Sequence, residues 1–228
     1  MRYGFSQIAA DLKEYGPCQV AEGITLRSVN RVMFLKVLHC LKVDTVSQEF
    51  LAPPTGYRGA FLEYAQLRKL TNSPEWELSE DFLKDAFAKG DRCYGFTRNG
   101  ELAAYQWYAT APTQTDWRGM VANFNSDYVY MYKGFTHPKH RGHRLYPVGV
   151  TTVLAEYMKQ GCRGFLSIVE SNNFASLKSC RRMGYRDVGK ILIAALFDRC
   201  LLKADPSCET YGLRLTKGSQ ISIAQEVA

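Results

Sequence analysis

Thr136-His137-Pro138-Lys139-His140-Arg141-Gly142-His143-Arg144-Leu145-Tyr146-Pro147 is the stretch on which the reading of this chain turns. An alternating run from Tyr128 to Phe135 precedes it, with Tyr128, Tyr130 and Tyr132 on one face and Val129 and Met131 on the other. Val150, Leu154, Tyr157 and Met158 follow at helical spacing until Gly161 stops the pattern. The stretch therefore joins a strand to a helix. The first amides of a helix have no partner within it, and the positive end of its dipole lies there. With Arg141 and Arg144 beside it, such a junction suits a phosphate or pyrophosphate. Pro147 fits the first helical turn, where a missing N–H costs the helix nothing.

Working outward, Phe165 to Val169 reads as a strand and Asn173 to Met183 as a short helix ended by Gly184. Two last strands are expected at Asp187 to Leu196 and Thr210 to Leu215. Upstream, Arg92 to Thr97 and Leu102 to Ala109 flank Asn99-Gly100, the sequence mark of a tight hairpin. Ser79 is a helix cap, with Glu80 and Asp81 in the first turn and Phe82, Leu83, Ala86 and Phe87 as the buried stripe. Phe61 to Leu70 is a mixed segment, and Pro53-Pro54-Thr55-Gly56 breaks the chain before it. Nearer the start, Phe5, Ile8, Leu12 and Tyr15 predict an amphipathic helix closed by Gly16-Pro17. Residues 24–43 read as extended, with a helix as the alternative for Val32 to Leu41.

The loop resembles the pyrophosphate loop of the GNAT superfamily of N-acetyltransferases, which reads Arg or Gln, two residues, Gly, one residue, then Gly or Ala. Arg141 takes the first position, and Pro138 and Gly142 match common members, whereas Arg144 and Tyr146 stand where the small residues are usual. Asn173, Ser176, Gly184 and Tyr185 reproduce the family's later pattern, and the order of elements over residues 57–215 is similar to the family's. The resemblance implies a mixed α/β fold: a mostly antiparallel central sheet, splayed between the strands at Tyr128 to Phe135 and Phe165 to Val169, and flanked by helices. It implies a division into an N-terminal extension (1–56) packed on the core, an acyltransferase domain (57–215) and a polar tail (216–228).

It further implies acetyl-CoA, or a longer acyl-CoA, as donor to a primary amine on a small molecule or a protein. Backbone groups of Gly134, Phe135 and Thr136 would hold the pantetheine arm, and Arg141, Gly142, His143, Arg144, Leu145 and Tyr146 the pyrophosphate, with Asn173 and Ser176 completing the cofactor site. An attacking amine must be neutral, so a general base is useful, and Glu170 ends the second splayed strand. Cys180 stands where many relatives carry the tyrosine that protonates the departing thiolate. An acyl carrier protein as donor, and a non-catalytic module that binds coenzyme A or a partner, remain as alternatives.

The net charge of +7, from 29 basic and 22 acidic residues, favours a polyanionic ligand. Nucleic acid ranks last, because the aromatics lie in apolar strand patterns rather than among exposed cations. Seven cysteines without a C-x-x-C pair argue against a disulfide framework or zinc site. His137, His140 and His143 span a Pro- and Gly-containing loop that fixes no common face, so no metal is expected. Met1 to Gly16 lacks the apolar stretch of a secretory signal, and no run approaches membrane-spanning length, so a cytoplasmic location is expected.

Overall fold

A computed structural model describes residues 5–30, 33–117, 119–197 and 199–218. Helix α1 (Phe5–Tyr15) ends at Gly16, whose φ of 84° suits a residue without a Cβ, and α2 (Pro17–Val29) starts at once. Residues 24–29, expected to be extended, are therefore helical. Gly16-Pro17 closes α1 as expected, and Pro17 also opens α2, as its fixed φ and absent N–H allow at the first position. Tyr15 packs on Phe174 with ring centroids 5.2 Å apart, and Gly23 leaves room for the same ring.

Strand β1 (Phe34–Val43) is followed by β2 (Arg58–Leu62), α3 (Tyr64–Arg68) and α4 (Glu80–Ala88). Ser79 caps α4, its Oγ accepting from Phe82 N at 3.2 Å. The hairpin of β3 (Arg92–Arg98) and β4 (Glu101–Ala109) turns through Asn99 and Gly100 with φ of 53° and 84°, the two positive values a tight primed turn requires. Short strands β5 (Thr113–Gln114) and β6 (Met120–Asn123) lead to β7 (Val129–Thr136), α5 (Leu145–Lys159), β8 (Phe165–Glu170) and α6 (Phe174–Arg182). The chain finishes with β9 (Arg186–Leu196), β10 (Arg199–Ala204), α7 (Pro206–Glu209) and β11 (Arg214–Lys217). The strand expected over Thr210 to Leu215 is thus mostly turn. The outer edge of β9 pairs with β10, whose side chains are mostly exposed and show no alternating apolar pattern to read.

The larger sheet runs β10-β9-β1-β8-β7-β4-β3-β2, antiparallel except between β7 and β8. β1 is hydrogen-bonded to β8 on one side and β9 on the other, so the expected boundary at residue 57 does not follow the sheet. Residues 34–43 are an interior strand, not an appendage, because Leu38, Cys40 and Leu41 bury both faces.

One face is covered by α5 and α6, whose Leu154, Leu177 and Cys180 pack with Phe96, Tyr108 and Phe165. The other is covered by α3 and α4, around Leu67, Leu83 and Trp107, and by the small sheet β11-β6-β5, around Met120, Ala122 and Leu215. Burial of each large apolar side chain contributes about 1.5–3 kcal/mol. No described helix is long and apolar enough to cross a membrane.

Candidate active site

Parallel strands β7 and β8 pair only at Val129 with Phe165 and Tyr130 with Leu166. Past these two positions they diverge, and Ser167 Oγ donates to Met131 O at 3.0 Å across the apex of the opening. From Tyr132 onward the edge of β7 that faces β8 has no strand partner, although its other edge stays paired to β4 as far as Thr136. A register shift opposite Trp107 and Tyr108 leaves Tyr132 as the extra residue of a bulge, its ring stacked on that of Tyr130 at 5.9 Å. The opening holds a cleft of about 1040 Å³, lined among others by Gly134, Phe135, Thr136, Glu170, Asn173 and Ser176. Asn173 caps α6, its Oδ1 accepting from Ser176 N at 3.2 Å.

The cleft continues into a second depression of about 570 Å³ at the start of α5; Thr136, Arg141, Gly142, Tyr146 and Ser179 line both. No side chain caps α5, which begins after Arg144 in a left-handed conformation, φ 57°. Gln106 of β4 pins the first turn by donating to Tyr146 O at 3.1 Å, and Tyr108 in turn donates to Gln106 Oε1 at 3.3 Å. Arg141 lies exposed, its Nε donating to Thr136 O at 3.4 Å. Arg144 and Leu145 line the depression, and Arg144 is paired there with Glu49 at 3.0 Å. His143 lines neither cavity and packs instead on Tyr57 with centroids 5.4 Å apart. His140 joins Tyr57 OH at 3.0 Å, its pKa lowered by burial and by the neighbouring His137 and Arg98. Among the described residues no group of three His, Cys, Asp or Glu is placed to hold a metal.

The two expected catalytic side chains are placed differently, one in the cleft and one outside it. Glu170 lies in the cleft, but Lys36 Nζ meets its Oε2 at 2.7 Å and Trp117 Nε1 donates to its Oε1 at 2.8 Å. Held by both groups, the carboxylate anchors Trp117 beside the cleft. Cys180 is 1% exposed and lines neither cavity. Burial pushes its thiol up to about 12. The polar group at that place in the cleft is Tyr146, whose ring lies against Gly134 and whose OH points at Met131 Sδ, 3.5 Å away. Burial holds this phenol well above its ordinary pKa, so it stays protonated. Sequence reasoning missed Lys36 and Trp117; the one available sign was that Lys36 interrupts an otherwise apolar run.

No family model matches the chain, and no curated protein is similar to it in sequence. Among solved structures, a GNAT-family acetyltransferase from Colwellia psychrerythraea is 15% identical with a TM-score of 0.52, over 71% of this chain and 56% of that one. A GCN5-related N-acetyltransferase-like protein from Streptococcus suis is 10% identical with a TM-score of 0.50, over 78% and 68%. The chain has the GNAT N-acetyltransferase fold. A further protein assigned to the GNAT family, from Novosphingobium aromaticivorans, aligns at 14% identity and a TM-score of 0.50, over 75% of this chain and 66% of that one. Within the GNAT fold seen here, the position between β8 and β9 is filled from the N-terminal part of the chain, by β1.

Proposed function

We propose that the protein is an acyl-CoA-dependent N-acyltransferase that passes an acyl group, acetyl by default, directly to a primary amine. The observation that carries this reading is the parallel pair β7 and β8, joined at two positions and then open, with the uncapped start of α5 at the mouth of the opening.

The residues present fit an extended phosphorylated thioester. The free edge of β7 from Gly134 to Thr136 offers main-chain donors and acceptors to a pantetheine arm, as a strand would. Arg141, Arg144 and the first amides of α5 face the depression where a pyrophosphate would lie, and Arg182 lines the same depression. When bound, the thioester supplies an activated acyl carbon and a thiol leaving group. The overall change forms one C–N bond and breaks one C–S bond, with one proton leaving nitrogen and one reaching sulfur. Tyr146 is the proton donor on the sulfur side, because its present acceptor, Met131 Sδ, is weak and readily exchanged for a thiolate.

Acetyl-CoA at 100 times its dissociation constant is expected to stabilise the fold by about 2.7 kcal/mol. Arg141→Ala should lower CoA affinity by about tenfold, the low end for a charge-assisted hydrogen bond at an exposed site. Calorimetric titration measures both, and an unchanged melting temperature with every acyl-CoA tried would remove the proposal. Glu170→Gln separates a base from an anchor. Loss of a base lowers the rate by about 10²–10⁴, whereas an anchoring Glu170 predicts a raised KM for the amine with kcat largely kept. A pH–rate profile of the variant, run with any amine that turns over, gives the answer.

A further inference from the structure

A separate cavity of about 650 Å³ lies beside the cleft, between α4, the β5–β6 connection and β7. Phe82, Trp117, Tyr130 and Tyr132 wall it, and Asp116, Trp117, Tyr132, Lys133 and Ile168 line both it and the cleft. The two spaces therefore communicate at the Tyr132 bulge.

At the bottom of the cavity stands Asp91, 3% exposed. Its Oδ2 receives Lys89 Nζ at 2.9 Å and Tyr132 OH at 2.7 Å, while its Oδ1 is buried without a partner. Lys89 is further held by Thr113 Oγ1 at 2.7 Å. A buried carboxylate oxygen left without a donor is costly. With Lys89 and Asp91 paired, the remaining charges on the lining are the exposed Asp85 and Asp116 against Lys133, which lies 5.4 Å from the centre of the Phe82 ring. The balance is negative, and the walls are aromatic. Aromatic faces attract an ammonium group and also take up an apolar body. A free carboxylate on the ligand would meet the exposed Asp85 and Asp116 against the single Lys133.

We infer that this cavity receives the acyl acceptor, and that the acceptor is a small cationic amine on an aromatic or other compact apolar body rather than an amino acid or a polyamine. The inference rests on the acyltransferase reading, since the cleft supplies the acyl group toward which the amine is directed. Asp91 holds the ammonium group within the cavity, Tyr132 stands at the junction of the two spaces, and the aromatic walls select the body of the amine.

The test uses three probes: phenethylamine, phenylalanine and spermidine. Each is titrated into the full chain by calorimetry, with and without saturating CoA, and CoA affinity is measured on the same samples. Phenethylamine is expected to bind at least tenfold more tightly than either of the others. Gln114→Trp, at an exposed position of β5 on the rim, should lower phenethylamine affinity at least tenfold and leave CoA affinity unchanged. Asp91→Asn should weaken phenethylamine in the same sense, and the Gln114 variant keeps the test valid if Asp91→Asn unfolds. Equal or tighter binding of phenylalanine or spermidine, or an unmoved affinity in Gln114→Trp, overturns the inference. CoA binding without phenethylamine binding overturns it alone; phenethylamine binding without CoA binding strikes the acyltransferase reading instead.

Discussion

Tyr146→Phe is expected to lower the single-turnover rate of acyl transfer by about 10²-fold, at the lower end of what a positioned proton donor contributes, while leaving CoA affinity unchanged. The ring keeps its place against Gly134 in the variant, because that approach is made by Cε2 and Cδ2, which phenylalanine retains, while the contact of the OH with Met131 Sδ goes. Only the O–H is lost. Burial holds the phenol well above its ordinary pKa, so it is protonated throughout the neutral range and its contribution should not vary with pH there. The rate should instead follow the fraction of neutral amine in wild type and variant alike, giving parallel pH profiles offset by the same factor. Rapid-quench measurements across neutral to mildly alkaline pH supply both curves. Wild-type rates in the variant would assign the thiolate's proton to water. Cys180→Ala probes the thiol beside the phenol: the change should lower stability, and a rate per folded molecule that stays at the wild-type value leaves the proton donation to Tyr146.

Gly134→Ala is expected to reduce kcat/KM by about 10²-fold, the scale of a displacement of roughly 1 Å in an aligned site. A Cβ at this position would stand 2.8 Å from Tyr146 Cε2 and 3.0 Å from Met131 Cε, so the phenol must shift. The same methyl group stands on the free edge of β7, where the pantetheine arm is proposed to lie. Gly134 is itself exposed, so the strain falls on the Tyr146 and Met131 side chains, and only a modest loss of stability should accompany the change. The discriminating measurement is kcat/KM alongside a thermal melt. A variant that melts normally and turns over like wild type would show that Tyr146 yields without cost and does not need its present position.

Much of this arrangement was legible in the sequence, and the misses share causes. Asn99-Gly100, the Ser79 cap, Gly161 and Gly184 are local signals whose physics acts within a few residues, and the elements they bound appear where expected. The strand–loop–helix at Thr136 to Pro147 is equally local. β1 was harder, because an apolar run shows burial but not its neighbours, and its partners β8 and β9 lie far along the chain. The engagement of Glu170 by Lys36 and Trp117 depends on three separate segments meeting, and no spacing within one segment encodes it. Cys180 was read by position in a pattern, yet the phenol of Tyr146 from another helix stands between it and the cleft. Arg144 and Tyr146, which depart from the small residues of the resembling loop, occupy the left-handed cap and the floor of the cleft.

The interior place of β1 bears on how the chain reaches this structure. Lys36 and Glu170 are 134 positions apart, and the ladder between β1 and β8 joins segments at similarly long range. Closing a loop of that length costs entropy before the contacts it brings can repay it, and such topologies fold slowly. During synthesis β1 leaves the ribosome early and must remain unpaired until β8 and then β9 emerge, with Leu35, Val37, Leu38 and Leu41 among its side chains. An apolar strand waiting with both edges open is a template for pairing with other chains. Shielding of residues 34–43 until their partners emerge is therefore expected to bear on the yield of folded protein.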